Sequence, residues 1–551
     1  MLLRSPRPGG LVALLAALAL PGPAAAATYY VESSGKDTND GSSTASALQT
    51  LQAAVDKCVS GSDHIEVGGG SFAGFRIANK TGIEVFGIAT TTIDQSGAST
   101  GTNGIVLEGV DTVTLKGLTI QNLVGAGLIV TGAAPSRNLK LLNLSLTSNG
   151  ANDAASNLVV NDTTGLLLRG VQSTSGGRSG IYLKGVTSGS VETCTASYNP
   201  VAGIWVNRSS DVNLERNTVH HNSTSGKSEA GILVSGVAVA KLRNNLVFRN
   251  EAFGISVEDD GSGNPSTGVV LAGNTVFQHD QGDFCVRVMR SNPVRIFDNI
   301  LLHAGPDSGS LYAIGGAPAE SDYNLFSDRF QENVGGANQS LADWQAGHPA
   351  LDQNSANAAA SLFDDVSKDH FWFKNSGSTG VDRGCGRHAD VVDYLGNPRP
   401  QGVAYDIGCY ELPQVGPDAG VPDAAAPPGE DAAQPGEDAA EPGVDAAEPG
   451  LDAALPGPDA SAPDDAAMAG DDAAQPGEDA AQAADATEPP GDASAEADAG
   501  AVMPSDSGEV VDVPVYDLGG CGCASTGSGA AMLLIALGAL PLATRLGRRR
   551  R

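Results

Sequence analysis

The chain has 551 residues, of which 64 are acidic and 32 are basic, so its formal net charge is −32 at pH 7. Residues 413–520 hold 26 of the acidic residues and no lysine or arginine, which leaves −6 for the rest of the chain. The composition argues against nucleic acid as a partner, because phosphate backbones are bound by clustered basic residues.

Residues 1–27 have the pattern of a secretory signal peptide. Arg4 and Arg7 supply a positive region, residues 11–20 are an apolar stretch, and small residues lead to a cleavage site at Ala27. Ten apolar residues are too few to span a bilayer, although an N-terminal anchor is the alternative. We expect export through the secretory pathway.

The mature domain begins with a strand near Tyr29 and an apolar stripe formed by Leu48, Leu51, Ala54 and Val55. This spacing predicts a short amphipathic helix. We expect the helix to cover the first repeat, because the open end of a repeat stack exposes strand edges and core. Short strands are then predicted at residues 65–67, 75–77 and 83–85.

One short motif recurs along the middle of the chain. It has the form Gly-Ile-x-Val, a glycine followed by apolar residues at the second and fourth positions. Its copies, two of them looser, begin at Gly104, Gly127, Asn157, Gly180, Gly203, Gly231, Gly254 and Asp283. The successive spacings are 23, 30, 23, 23, 28, 23 and 29 residues. A period in the low twenties with occasional insertions indicates a solenoid.

Each repeat carries a second apolar alternation about ten residues later, as in residues 113–118 and 212–217. Apolar residues at i and i+2 predict strands, and the short links rich in Gly, Ser, Asn and Asp predict tight corners with no room for a helix. Parallel rungs lie about 4.8 Å apart, so stacked side chains can share an interior column. The column predicted to face inward is Ile88, Leu118, Leu144, Val171, Cys194, Asn217, Asn245, Asn274 and Asn299.

A leucine-rich repeat is the alternative solenoid, because residues 212–217 resemble its strand core. That fold would have an asparagine in every repeat, whereas the early column is aliphatic and each turn holds a second strand motif. The region instead resembles the right-handed parallel β-helix family, the pectate-lyase-like solenoids. The resemblance covers residues 28–412 and implies an all-β domain with an N-terminal capping helix. The segments similar to the two ends of secreted members are residues 29–41, 48–55, 321–326, 341–344, 393–400 and 406–411.

The last part of the chain has a different composition. Clustered aromatic residues between 312 and 373 are predicted to close the core. Residues 413–520 form a linker rich in Pro, Gly, Asp, Glu and Ala, which we expect to be disordered, because it has too little apolar surface to offset its ordering entropy.

Residues 521–551 combine Cys521 and Cys523 with an apolar run at 530–543 and an arginine tail. This order resembles the C-terminal sorting tag of myxobacterial surface proteins. The resemblance implies processing near one of the two cysteines, a sorting machinery as partner, and display on the cell surface or outer membrane, with or without later release. A plain transmembrane anchor is the alternative.

The remaining cysteines divide into two groups. Cys385 and Cys409 lie in the exit segment, where members of the family usually carry small residues, so we expect a disulfide between them. Cys58, Cys194 and Cys285 have no cysteine or histidine at ligand spacing and are expected to be buried thiols.

The third and fifth residues of each Gly-Ile-x-Val strand should face outward if the second faces inward. This rule puts Tyr182 and Trp205 on adjacent rungs and gives Cys285 the third position of the last copy. An exposed aromatic pair beside polar groups suits polysaccharide, while a loop that covers both rings is the alternative. The predicted glycan-binding residues are Tyr182, Trp205, Lys184, Asn207, Arg178 and Arg208.

Catalytic residues remain unassigned from the sequence. Polysaccharide lyases with this fold need a basic residue and often Ca²⁺ held by carboxylates. Lys184, Arg178 or Arg208 could be the base, and the candidate metal ligands are Glu258, Asp259 and Asp260, which also fit an insertion turn. No pair of aspartates lies at matching positions on neighbouring rungs, as a hydrolase of this fold would need.

Three functions therefore stay open, because a fold alone implies no reaction. The first is an exported, surface-displayed β-helix that binds polysaccharide. The second is a β-helix lyase that uses Ca²⁺ for β-elimination. The third is a structural or adhesive surface spacer without a ligand.

Overall fold

The computed structural model describes residues 26–413 except residues 60, 89, 95–102, 152–154 and 225–228. The linker from residue 414 onward and the tail with Cys521 and Cys523 lie outside the described residues, as does the signal segment up to residue 25. Ala27 lies inside them, directly before the first strand, and its backbone N–H donates to Asp63 Oδ1 at 2.9 Å.

The described chain forms a parallel β-helix in which each coil contributes one strand to each of three sheets. We name the sheets by the order in which one coil visits them. The first sheet carries the Gly-Ile-x-Val motif and the second carries the apolar alternation. The third sheet consists of short strands, mostly of three or four residues. The prediction of an all-β parallel β-helix is confirmed.

The strands of the first sheet are Phe75–Ala78, Ile105–Glu108, Leu128–Thr131, Leu158–Asn161, Ser179–Lys184, Ala202–Asn207, Ala230–Ser235, Phe253–Glu258, Val286–Met289, Leu311–Ile314 and Phe330–Gln331. Those of the second sheet are Thr28–Val31, His64–Val67, Glu84–Gly87, Thr114–Lys116, Ser136–Leu142, Thr163–Arg169, Thr187–Glu192, Ser210–Glu215, Ala238–Arg243, Thr267–Ala272, Val294–Phe297 and Glu320–Asp322. Those of the third sheet are Gly70–Phe72, Thr91–Asp94, Thr119–Gln121, Ser145–Thr147, Gln172–Thr174, Thr195–Ser197, Thr218–His220, Leu246–Phe248, Thr275–Gln278, Ile300–His303, Leu325–Phe326 and Ala356–Asn357.

A short helix lies at each end of the coil. The first helix, Leu51–Lys57, buries Leu51 in the core. Its Gln52 side chain accepts from the backbone N–H of Arg76 at 2.9 Å and donates to the Arg76 carbonyl at 3.2 Å. Gln52 thereby pairs with the edge strand of the first sheet as a neighbouring strand would.

The second helix, Leu341–Gly347, closes the other end of the core. Its Trp344 is fully buried, stacks on Phe330 with ring centroids 5.2 Å apart, and donates from Nε1 to Asp352 Oδ2 at 2.9 Å. A buried indole N–H needs such an acceptor, because an unpaired donor in the interior is costly.

The predicted interior column faces inward from Leu118 to Asn299, and each of its members in that span is at most 1% exposed. Ile88 is the exception, since it is 60% exposed. The buried Thr91 lies inward instead, and its hydroxyl donates to the carbonyl of Gly68 at 2.9 Å. The first coils therefore follow a different alignment from the repeats, and the prediction for Ile88 was wrong.

The asparagines of this column form a continuous hydrogen-bond ladder. Asn245 Oδ1 accepts from Nδ2 of Asn217 at 2.9 Å, and Asn245 Nδ2 donates to Oδ1 of Asn274 at 2.9 Å and to the Leu214 carbonyl at 2.9 Å. The same pattern continues through Asn299. Every buried amide is thus satisfied along the ladder.

A second ladder, which the repeat alignment did not predict, runs beside the first. Asn199 Nδ2 donates to Asn222 Oδ1 at 2.9 Å, and Asn222 Nδ2 donates to Asn250 Oδ1 at 3.0 Å. Asn222 and Asn250 each lie five residues after a member of the first ladder. The two ladders therefore hold both ends of the short third-sheet strands.

The last described segment turns back over the outer face of the third sheet. An antiparallel pair of strands, Phe363–Asp365 and His370–Phe373, packs its buried rings against Phe248 and Phe277. The prediction that the late aromatic residues all close the core end was therefore only partly right. Phe330 and Trp344 close the end, while this hairpin covers a sheet face.

The structure does not form the predicted disulfide between Cys385 and Cys409. Cys385 Sγ donates to Asp298 Oδ2 at 3.5 Å, and the Cys385 backbone N–H donates to Asp298 Oδ1 at 2.8 Å. Cys409 is a free, fully buried thiol in the apolar cluster over the third sheet, and burial raises its pKa to about 12. The bridge prediction was wrong because the two side chains are held by different surroundings.

Candidate functional site

The outer face of the first sheet carries a row of side chains from successive rungs. Hydrogen-bond register places Tyr182 beside Trp205 and places Ser256 beside Arg287. Cys285 therefore does not belong to the row, because it lies at the glycine position of its repeat and is buried in the core. The full row from Val159 onward is Val159, Tyr182, Trp205, Leu233, Ser256, Arg287, Tyr312 and Gln331.

Tyr182 and Trp205 form an aromatic pair, which we call the platform. Their ring centroids are 4.9 Å apart with an angle of 57° between the rings, and both side chains are half-buried. Trp205 Nε1 donates to Ser235 Oγ at 2.9 Å, and Asn207 Nδ2 donates to the Tyr182 hydroxyl at 3.1 Å. Both rings are therefore held by polar contacts at their edges.

Trp205 also packs against an apolar cluster on the outer face of the sheet. The sequence left open whether the platform is exposed or part of a satellite core, and the structure shows features of both. The members of that cluster are Val201, Ala202, Ala230, Leu233, Phe253 and Phe284.

The predicted cations do not all lie at the platform. Lys184 and Arg178 are exposed at opposite ends of the strand Ser179–Lys184, and neither forms an ion pair with another described residue. Arg208 instead turns to a neighbouring loop, where its Nε donates to Asp260 Oδ2 at 2.7 Å and its Nη2 donates to Ser262 Oγ at 2.9 Å. Of the predicted set, the structure brings together the platform, Asn207 and Lys184.

The three acids proposed for Ca²⁺ each pair with a different arginine, and these arginines come from two other rungs. Glu258 pairs with Arg287, and Asp259 Oδ1 lies 3.0 Å from Arg290 Nη2. Asp260 pairs with Arg208, and hydrogen bonds led by that from Asn264 hold the Asp260 pKa well below its usual range. Burial raises the pKa of Glu258 despite its partner.

These carboxylates do not fit a calcium site, which needs several oxygen ligands without competing cations. In the part of the chain that the structure describes, no group of three or more His, Cys, Asp or Glu side chains is arranged to hold a metal. The metal-ligand prediction for Glu258, Asp259 and Asp260 is therefore not supported, because stacking of the rungs brings arginines to each of them.

A buried arginine, which sequence reasoning missed, lies against the apolar cluster on the outer face of the first sheet, three rungs after Trp205. The guanidinium carbon of Arg287 lies 4.1 Å from the ring centroid of Phe253, and Arg287 is only 7% exposed. Tyr312 stacks on Phe284 with centroids 5.2 Å apart. The only sequence signal was a phenylalanine directly before the glycine of one repeat.

Comparison with known proteins agrees with this architecture. A family model described as the right handed beta helix region matches residues 103–276. No curated protein matches the sequence at a significant level. Among the residues that the structure describes, no helix combines the length and the apolar content of a membrane span.

Several solved structures are similar to the chain at low identity. A pectate lyase, Pel9A, is 17% identical and has a TM-score of 0.47, with 70% of this chain and 96% of that chain covered. A rhamnogalacturonan lyase is 12% identical with a TM-score of 0.39, covering 62% and 91%. A GH136 lacto-N-biosidase from Eubacterium ramulus is 14% identical with a TM-score of 0.40, covering 60% and 67%. Because the identities are only 12–17% and the TM-scores 0.39–0.47, the similarity to these structures concerns the fold alone.

Proposed function

We propose that this protein binds polysaccharide on the outer face of its first sheet. The observation that carries the proposal is the platform, two half-buried rings on adjacent rungs whose edges are held by hydrogen bonds. A sugar ring has apolar C–H faces that stack on aromatic rings and polar edges that need hydrogen-bond partners. Asn207 and the exposed Lys184 lie in register beside the platform and can serve those edges.

A lyase is the second candidate, and Lys184 is the observation that favours it. Its side chain is exposed and forms no ion pair with a described residue, so it can reach the α-proton of a uronate bound at the platform. A Ca²⁺-dependent lyase has less support, because each of the three proposed Ca²⁺ ligands is paired with an arginine. A spacer without a ligand would not need the platform.

The test is binding of the full chain to homogalacturonan, alginate, xylan and galactan, with absorbance of unsaturated products read in parallel. Tyr182→Ala should weaken binding roughly tenfold, because a stacking partner is lost. Trp205→Ala should weaken it as well, with some loss of stability from the adjacent apolar cluster. The matched control is Trp372→Ala, a half-buried tryptophan of the C-terminal hairpin, which should leave binding unchanged.

Lys184→Ala separates the two candidates. A binding protein should keep part of its affinity, whereas a lyase should still bind and lose turnover almost entirely. If the wild type binds none of the four polymers, the spacer function replaces this proposal. If binding survives both platform substitutions, the site lies elsewhere.

We also propose export and display at the surface, which rest on the sequence of residues 1–27 and 521–551 alone. A mature N-terminus at Thr28, found by sequencing the secreted protein, would support the first. Surface labelling that depends on Cys521 and Cys523 would support the second.

A further inference from the structure

A second row of side chains follows the third sheet, at the corner where each coil turns toward the first sheet. Tyr198, His221, Arg249 and His279 each come directly after a third-sheet strand on four successive rungs. The first three have left-handed backbones, with φ of 55°, 52° and 50°. We call these four residues the corner row.

A cleft of about 420 Å³ opens between the last three residues of the corner row and the C-terminal segment. The ring of Phe277 contributes to its lining, and Ser367 contributes from the C-terminal segment. This volume lies within the range of small-ligand sites in proteins. The polar lining of the cleft also includes His221, Arg249, Glu251 and His279.

Beside this cleft lies a layered aromatic stack. The ring of Tyr198 is stacked on that of His221, with centroids 5.0 Å apart and an angle of 18°, and Tyr198 is 53% exposed. His221 is held by its neighbour, since Nδ1 of His220 and Nδ1 of His221 lie 2.8 Å apart and share a hydrogen bond. His220 is stacked in turn on Phe248 at 4.8 Å.

The charges around the cleft indicate which class of ligand it suits. The Arg249 guanidinium donates to the Val366 carbonyl at 2.8 Å and lies 2.9 Å from Asp369 Oδ1, so its charge is already neutralised. Glu251 adds an exposed carboxylate. Burial lowers the pKa of His221, which leaves its imidazole uncharged at neutral pH. An anionic ligand would therefore find no unpaired positive charge among these residues.

We propose that this cleft is a second saccharide site, which takes one or two neutral sugar residues at the end of a glycan. One sugar ring would lie in the cleft against the rings of His221 and Phe277, and its hydroxyl groups would reach the mixed donors and acceptors of Arg249, Glu251 and His279. The site does not depend on the platform, because it lies around the corner of the coil and uses none of its residues.

The test uses the full chain and five probes, which are cellobiose, xylobiose, galactobiose, diacetylchitobiose and digalacturonate. Saturation-transfer NMR identifies which probes bind, and titration calorimetry measures their affinity. We expect at least one neutral disaccharide to bind. His221→Ala and Ser367→Leu should each weaken that binding tenfold or more, the first by removing a ring that lines the cleft and the second by filling the cleft.

Two control variants keep the test specific. Val239→Ala changes another exposed residue with a left-handed backbone, on a second-sheet strand, and should have no effect. Tyr182→Ala should also have no effect on this binding. The proposal is overturned if no neutral disaccharide binds, if digalacturonate binds best through the cleft, or if only Tyr182→Ala abolishes binding. Binding is measured separately for the cleft variants and for the platform variant. Either proposed site can therefore be rejected without rejecting the other.

Discussion

Each amide of the asparagine ladder makes contacts that only an amide can make. Asn245 is fully buried and uses one oxygen to accept from the rung before it and one NH₂ to donate to two carbonyl-type oxygens. A residue that supplies only donors or only acceptors cannot replace it. The rule applies at every inner member of the ladder.

Asn245→Asp should therefore lower the free energy of unfolding by roughly 2 kcal/mol or more. The carboxylate loses both donors and faces the oxygens of Leu214 and Asn274 without a proton between them. Urea unfolding at pH 7 measures the change. The matched control is Asn333→Asp on an exposed loop, which should be near neutral, and equal effects at both positions would contradict the ladder.

The buried carboxyl group of Asp298, which contacts the exit segment, predicts that the stability of the protein depends on pH. Burial raises the pKa of Asp298 to about 6, even though the backbone N–H groups of Cys385 and Gly386 donate to it. The unfolded value is about 3.9, so the folded state binds this proton more tightly. The Asp298 contribution to stability therefore increases as pH falls from about 6 to about 4 and is smallest above pH 6.

Asp298→Asn isolates this contribution, because the amide does not titrate. The unfolding free energy of the wild type minus that of the variant should increase as pH falls from 7 to 5. Asp406, whose pKa burial also raises to about 6, is unchanged in both proteins and cancels in the comparison. A difference that stays constant with pH would show that Asp298 is ionised throughout.

At the scale of elements, the three sheets have different surroundings. The first sheet carries the platform on its outer face, whereas the third sheet is covered by the C-terminal hairpin. Phe371 is central to that cover, since its ring lies 5.0 Å from that of Phe248 and 5.3 Å from that of Phe277. The hairpin therefore acts as a second core outside the coil.

Phe371→Ala should destabilise the protein by about 3 kcal/mol or more, because the lost ring leaves a cavity between the hairpin and the sheet. Urea unfolding gives the magnitude, and increased binding of a hydrophobic dye would report the exposed sheet face. Val391→Ala in the same C-terminal segment is the control, because Val391 is 74% exposed. A small effect at Phe371 would mean that the hairpin packs only loosely.

At the scale of the whole molecule, the composition changes abruptly near Pro413. The stretch from residue 413 to residue 520 has one aromatic residue and no basic residue. The folded domain and the acidic stretch should therefore be separable.

Residues 28–412 should fold without the rest of the chain and keep the melting temperature of the full protein. Mild proteolysis of the full chain should release this fragment by cutting beyond residue 413, because cleavage concentrates in segments without buried backbone. Circular dichroism and mass spectrometry test both points. A fragment that aggregates or melts earlier would place essential contacts in the acidic stretch.

The sequence by itself determined the architecture, the rung positions of the platform and most of the inward column. These features are local and periodic, because alternation along a strand and a repeat of about 23 residues appear directly in the order of residues. The pairing of Tyr182 with Trp205 could be read in this way, since the spacing between their repeats has no insertion.

Only the tertiary structure decided what surrounds these positions. Arg208 and Asp260 are 52 residues apart and meet because rungs stack, so two predicted site residues neutralise each other. Insertions shifted the last repeat by two residues, which put Arg287 where Cys285 was expected. The corner cleft and the separation of Cys385 from Cys409 depend on how the C-terminal segment turns back over the coil. Such contacts join distant segments, and no short period in the sequence encodes them.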